Sequence, residues 1–220
     1  MVIPKNTYDY IVVGAGTAGC VLANRLSEDP EVSVLLVEAG PEDRSVFLKM
    51  PSAFAHAMNS WKYDWNYISD PEPYLENRQL SCPRGRVLGG SSSINAMCFV
   101  RGHRLDFDCW DRATGFKNWS YKNCLPYFKK LETFSGGASE FRGGSGPVSV
   151  IAPHFSNPLC EVFAQASSEA GHPWNRDTNG EQQEGFGLMD QMIRDGTRES
   201  GSTAYLDPVR QRNNLTIVCG

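Results

Sequence analysis

The first forty residues switch between two patterns of apolar and polar positions. Tyr10-Ile11-Val12-Val13 is a continuous, largely β-branched apolar run, which predicts a strand. Ala18, Leu22 and Leu26 then recur at four-residue intervals and predict a helix with one apolar face. Glu28-Asp29-Pro30 stops that helix, because proline can neither donate the helical hydrogen bond nor fit the next turn. Val32-Ser33-Val34-Leu35-Leu36-Val37 is a second apolar run, ending at Glu38. Strand, helix and strand in this order predict a βαβ unit, hence an α/β fold.

Beyond Ala39-Gly40-Pro41 the pattern weakens. Residues Phe47–Met58 are mildly helical, with Phe54 and Met58 four apart. Trp61, Tyr63, Trp65 and Tyr67 alternate with polar residues, which puts four aromatics on one face of an extended segment. That face suits a strand burying its aromatic side, or an aromatic wall along a ligand cleft. Asp70-Pro71-Glu72-Pro73 and Asn77-Arg78 are turn material, and the glycines of Ser135–Gly146 predict a loop. Leu159, Val162, Phe163 and Ala166 predict an amphipathic helix that starts at Asn157-Pro158 and ends by Gly171. Leu215-Thr216-Ile217-Val218 predicts a further strand.

Chemistry enters at the junction of the first strand and helix. Gly14-Ala15-Gly16-Thr17-Ala18-Gly19 has the GxGxxG spacing of a dinucleotide-binding turn. The first glycine allows the tight turn, the second lets a pyrophosphate approach the backbone, and the third lets helix and strand pack closely. The helix N-terminus adds free N–H groups and a partial positive charge. Glu38 lies 38 − 19 = 19 residues past the third glycine, where a carboxylate can accept from the ribose hydroxyls of an adenosine. The pattern predicts a dinucleotide, and by itself a carboxylate there suits NAD as well as FAD.

A second unusual stretch is Pro83-Arg84-Gly85-Arg86-Val87-Leu88-Gly89-Gly90-Ser91-Ser92-Ser93-Ile94-Asn95-Ala96-Met97-Cys98. Adjacent glycines followed by three serines fit neither a helix nor a strand interior. They can bring backbone amides against a flat or anionic ligand, or they can form a flexible linker. Ser93 is a candidate cap for the next segment, with Ile94, Met97 and Cys98 facing inward.

These residues carry a resemblance. Gly85-Arg86, Leu88-Gly89-Gly90-Ser91-Ser92, Ile94-Asn95, Phe99, Gly102 and Asp108 match position by position the first signature of the glucose–methanol–choline (GMC) oxidoreductases, flavoenzymes that oxidise alcohols with FAD. Tyr8–Gly16 and Glu38-Ala39-Gly40 agree with it. Asn118-Trp119-Ser120-Tyr121, Cys124–Phe128, Gly146–Val150, Asn179–Gly187, Thr203–Leu206 and Asn214-Leu215-Thr216 are similar to the branch that oxidises choline. The likeness spans Tyr8 to Val218.

The resemblance implies a Rossmann-like FAD-binding domain over residues 8–220, with the start of a substrate-binding α+β region and residues 147–195 facing the substrate side. It implies that Gly14, Gly16 and Gly19 hold the pyrophosphate and Glu38 the adenosine ribose, with Thr17, Ala18, Gly90 and Ser91 also binding the cofactor. Val87, Asn95, Ala96, Met97 and Cys98 would lie against the isoalloxazine ring, with Asn95 nearest its polar edge. Some relatives carry a flavin-linked histidine just before this asparagine; Ile94 has no nucleophile, so FAD is expected to be non-covalent. The implied reaction is oxidation of a primary alcohol, choline to betaine aldehyde, with hydride passing to flavin N5 and electrons to a quinone or O2. Other alcohol dehydrogenases or oxidases of the family, or a non-catalytic dinucleotide-binding module, are the alternatives.

In the family a late histidine, paired with His or Asn, handles the hydroxyl proton, and this sequence ends at Gly220 before that pair. No catalytic residue is therefore assigned. A positioned base contributes about 10²–10⁴-fold. The 220-residue chain alone is accordingly expected not to turn over alcohol at a useful rate, which dye reduction with choline would test.

Composition narrows the partners. Net charge is −4, which offers no general attraction to nucleic acid. No window reaches the 18 or more apolar residues of a spanning helix, and Met1–Thr7 lacks a hydrophobic leader core. A cytoplasmic protein is expected, with peripheral attachment to the inner membrane left open. Cys20, Cys82, Cys98, Cys109, Cys124, Cys160 and Cys219 form no CxxC pair, so no metal site or disulfide framework is expected, and most are read as small core hydrophobes. His56, His103, His154 and His172 show no metal-ligand spacing.

Overall fold

The structure is a computed structural model that describes residues 7–152 and 157–220. His154 lies outside the described residues. These residues divide into two units, one running to Met97 and joined by Asp195–Gly220, the other Cys98–Arg194.

The first unit is built on the expected βαβ motif. Strand β1 (Tyr10–Val13) leads through the glycine turn into helix α1 (Thr17–Leu26), and β2 (Val34–Glu38) pairs with β1 in parallel, Tyr10 opposite Val34. The last strand, β3 (Leu215–Cys219), pairs in parallel on the other side of β2, giving the order β1-β2-β3. Helix α1 ends at Leu26, before the Glu28-Asp29-Pro30 stop, because Ser27 folds back and its hydroxyl donates to the Asn24 carbonyl (3.1 Å).

The central strand carries the core. Val34 and Leu36 on β2 are fully buried, each worth about 1.5–3 kcal/mol of transfer free energy. The outer strand β1 differs: Ile11 is 61% and Val13 83% exposed. The apolar run marks the strand, and the tertiary structure leaves much of it exposed. Helix α1 covers the sheet with Cys20 and Ala23, and its buried Asn24 donates to the Tyr205 carbonyl (2.6 Å), tying the 202–206 helical turn to α1.

The expected helix over Phe47–Met58 is broken into Val46–Lys49 and Phe54–Met58, with a 3₁₀ turn over Pro51–Ala53 between them. Pro51 forces Met50 into an extended conformation and ends the first piece. Leu48 and Ala57 from these pieces join Val87 and Ile94 in a second small core, against which Tyr63 packs.

The second unit holds three helices: α2 (Arg104–Thr114), α3 (Tyr121–Leu131) and α4 (Pro158–Glu169). His103 caps α2, its ring accepting from Leu105 N–H while Asp106 accepts from His103 N–H. The predicted glycine loop over Ser135–Gly146 joins Glu132–Phe134 to Val148–Val150, which pair in parallel. Helix α4 starts at Asn157-Pro158 as expected, but its apolar face is open: Leu159, Val162 and Phe163 are all exposed. Periodicity identifies a face; it does not say what covers it.

Beside buried Phe99, Phe107, Val148 and Val150, the interior of this unit holds an ionic cluster. Glu132, with no exposed surface, accepts from Arg101 Nη2 (2.6 Å), from Arg142 Nε (3.1 Å) and Nη2 (3.2 Å), and from the Gly143 amide (2.8 Å). Arg142 also reaches Asp177 (2.7 Å) and Asp190 (2.8 Å). Asn179 stitches the network to the backbone, donating to the Phe99 carbonyl (2.9 Å) and accepting from Arg101 N–H (2.8 Å).

No helix among the described residues is long and apolar enough to cross a membrane. The cysteine expectation needs correcting: Cys20 alone is buried, Cys98 and Cys109 are exposed, and the other four lie between. Burial pushes the Cys20 thiol up to about 12 and the Cys219 thiol up to about 11. The thiolate is the reactive form. A brief treatment of the native protein with iodoacetamide is therefore expected to modify Cys98 and Cys109 and spare Cys20, as read by peptide mass spectrometry. Labelling of Cys20 at the same rate would contradict its placement.

Candidate dinucleotide site

The candidate site lies where β1 and β2 end. A cleft of about 550 Å3 opens there, lined by Val13, Gly14, Gly16, Val37, Glu38, Ala39, Trp65, Gly85 and Gly90. Four predicted residues, Gly14, Gly16, Glu38 and Gly90, thus meet in one place from three separate stretches of chain.

Each glycine serves a different steric need. At Gly19 a Cβ would overlap the Gly14 carbonyl oxygen, so this position permits the close packing of helix on turn. At Gly16 a Cβ would meet no protein atom within 4 Å; the missing side chain leaves open cleft. Gly90 has φ +58°, and a Cβ there would stand 2.7 Å from the Gly16 Cα. The serine loop therefore lies directly against the glycine turn, an approach fixed further by Gly89 N–H donating to the Ala15 carbonyl (2.7 Å).

Helix α1 presents its N-terminus without a side-chain cap and with no acidic residue in its first turn. Its leading N–H groups, at exposed Thr17 and Ala18 and at Gly19, are the donors an anion would use. Glu38 is more constrained than the sequence suggested. Its Oε2 accepts from Ala15 N–H (2.7 Å) and its Oε1 from Gly40 N–H (2.9 Å), so the carboxylate braces the glycine turn. Each oxygen keeps a second lone pair for a hydroxyl in the cleft.

The other predicted residues do not line this cleft. Val87 is fully buried in the small core with Leu48 and Ile94. Ser91 is exposed, its hydroxyl accepting from Gly85 N–H (3.0 Å). Asn95 and Ala96 are half-buried, Met97 is buried with φ +61°, and Cys98 begins the second unit. Ser93 does not cap the following segment; its hydroxyl donates backward to the Leu88 carbonyl (2.7 Å), while Ile94 and Met97 face inward and Cys98 does not.

The alternating aromatics also need correction. They are not a buried strand: Trp61 is 82% exposed, the strand is confined to Tyr67–Ile68, and Tyr67 is itself exposed. Buried Asp64, accepting from Arg84 N–H (2.6 Å), pins the segment to the 84–86 backbone instead. That puts Trp65 on the cleft, with the Arg86 guanidinium 5.5 Å from its ring centre. Val13, Val37, Ala39, Trp65 and Gly85 are the lining residues absent from the predicted site; the alternation of aromatics was the signal for Trp65.

No group of three or more His, Cys, Asp or Glu side chains among the described residues could hold a metal ion. His103 Nε2 instead meets Glu184 Oε1 (2.9 Å), and His56 and His172 pack on Phe47 and Phe186.

Residues 8–220 match the GMC oxidoreductase family. The chain belongs to that family. Relatives within it include the oxygen-dependent choline dehydrogenase of Vibrio vulnificus, 52% identical over 215 residues, which are 97% of this chain and 38% of the relative. The corresponding enzyme of Chromohalobacter salexigens is 50% identical over 214 residues, again 38% of its length. Among solved structures, pyridoxine 4-oxidase from Mesorbium loti superposes with a TM-score of 0.91 at 36% identity, covering 97% of this chain and 42% of that one. An FAD-dependent oxidoreductase from Chaetomium thermophilum gives 0.85 at 35% identity, covering 96% and 38%. The chain thus spans about two-fifths of the length of the GMC relatives it matches. The α/β, Rossmann-like reading of the sequence stands.

Proposed function

We propose that this chain binds FAD non-covalently and forms the cofactor-binding part of an enzyme that oxidises choline to betaine aldehyde. The observation that carries the reading is the cleft at the ends of β1 and β2, floored by a glycine turn and closed by the serine loop. The names of the GMC relatives, choline dehydrogenases and an FAD-dependent oxidoreductase, support the cofactor and the substrate class.

The residues present fit FAD. The open space above Gly16 and the uncapped N–H groups of Thr17, Ala18 and Gly19 suit a pyrophosphate, which needs close backbone approach and donors. The free lone pairs of Glu38 suit ribose hydroxyls. Asn95–Cys98 are assigned to the isoalloxazine end, and Gly90 and Ser91 to the cofactor where the serine loop meets the glycine turn. Val87, being buried beneath that loop, would support it from below. Bound flavin would accept the hydride removed from the alcohol carbon and pass the electrons to O2 or a quinone. The substrate-facing role falls to residues 147–195, nearly all of them in the second unit.

Adding FAD to the purified chain is expected to quench flavin fluorescence saturably at one equivalent, with NAD failing to compete. A folded protein that takes up NAD and leaves FAD free would overturn the assignment.

A further inference from the structure

Arg198 is one of the largest fully buried side chains, yet it meets no carboxylate among the described residues. Its Nε donates to the Leu48 carbonyl (2.9 Å). Its Nη1 donates to the Ser92 carbonyl (3.3 Å), the Asn95 carbonyl (2.6 Å) and Asn95 Oδ1 (2.9 Å). Its Nη2 has no partner among the described residues. Burial lowers its pKa to about 10, which still leaves it protonated at neutral pH. A buried guanidinium satisfied by neutral oxygens alone is costly to keep, and three of its four hydrogen bonds go to the loop assigned above to the flavin.

The consequence appears at Asn95. Its Oδ1 accepts from Arg198 Nη1 and from Met97 N–H (3.0 Å). Arginine and a backbone amide are donors with nothing to accept, so the carboxamide has one orientation: a flipped amide would set its NH2 against two donors. The Nδ2 group is left without a partner in the described protein on a half-buried side chain.

We propose that Arg198 is a positioning residue that locks the Asn95 carboxamide with its oxygen inward, so that Asn95 meets bound FAD as a hydrogen-bond donor. The inference rests on the FAD reading above. It names the recognised chemistry as an acceptor atom on the cofactor, a carbonyl oxygen or an unprotonated ring nitrogen. Neither a hydrophobic edge nor a donor would satisfy it.

Asn95→Asp separates this from a merely structural role. The variant keeps the shape, gives Arg198 a counter-ion, and replaces the outward donor by a second acceptor. In the full chain the FAD-free protein should melt at a higher temperature than the unmodified one. FAD should bind at least tenfold more weakly by fluorescence titration, and its visible absorption band should shift. Arg198→Met should weaken FAD binding while lowering the melting temperature, with Arg198→Lys restoring part of the affinity. If Arg198→Met does not fold, Asn95→Asp decides alone. Unchanged FAD affinity in Asn95→Asp overturns the proposal, as does a lower melting temperature without FAD. Failure of the unmodified chain to take up FAD removes the cofactor reading and this inference with it, an outcome distinct from normal uptake by both proteins.

Discussion

Glu132→Ala should destabilise the second unit by about 3–5 kcal/mol, the cost of stripping the partner from a buried ion pair. Two guanidinium groups lose their shared acceptor at once, since Arg101 and Arg142 both donate to this carboxylate. Their remaining acidic partners are Asp177 and Asp190, which reach Arg142 alone in the observed network. Against a domain stability of about 5–15 kcal/mol, such a loss leaves the unit marginal. Urea denaturation followed by tryptophan fluorescence would read it; a loss below about 1 kcal/mol, the range of an exposed pair, would mean the cluster is hydrated. The network also carries a pH signature. Burial raises the Asp190 pKa above the ordinary carboxylate value, with Arg142 pulling the other way. The folded state therefore holds the Asp190 proton to higher pH than the unfolded chain does. That contribution is complete below the unfolded pKa and is lost as pH rises through the raised one. Asp190→Asn should remove this slope and leave the Glu132 interaction in place.

The glycines of the turn should fail in two different ways. Gly19→Ala puts a methyl group onto the Gly14 carbonyl, a backbone atom that cannot swing aside. Overpacking of this kind costs about 1–3 kcal/mol, and the upper end is expected here. Gly16→Val puts its side chain into open cleft, so the melting temperature should stay close to that of the unmodified protein. FAD affinity should nonetheless fall at least tenfold, because the backbone approach is blocked. Thermal melting and flavin titration of the two variants together make the test. Equal loss of stability in both would refute the steric distinction drawn between positions 16 and 19. Unchanged FAD affinity in Gly16→Val would move the pyrophosphate elsewhere.

Much of this was legible in sequence because local rules govern it. The β1–α1–β2 unit follows from apolar periodicity and a glycine turn, and its strand and helix limits fell within two residues of the observed ones. Asn157-Pro158 likewise announced α4 through its cap and its first-turn proline. Departures came where distant groups compete. Ser93 was expected to cap the segment after it, but it closes a 3₁₀ turn over Gly90–Ser93 and its hydroxyl donates back to the Leu88 carbonyl. The aromatics at 61–67 fitted a pleated strand, but Asp64 secured the backbone to Arg84 and turned Trp65 to the cleft.

The sequence by itself determined the family, the parallel βαβ core and the glycine turn between its first strand and helix, since these depend on spacing and on backbone freedom within a short stretch. The tertiary structure alone decided which apolar faces are covered, how Glu38 is spent between backbone and cleft, and which donors meet which acceptors. Arg198 illustrates the division. Nothing within a few residues of it predicts a buried, uncompensated cation, because its partners at positions 48, 92 and 95 are brought to it only when the chain folds back across α1.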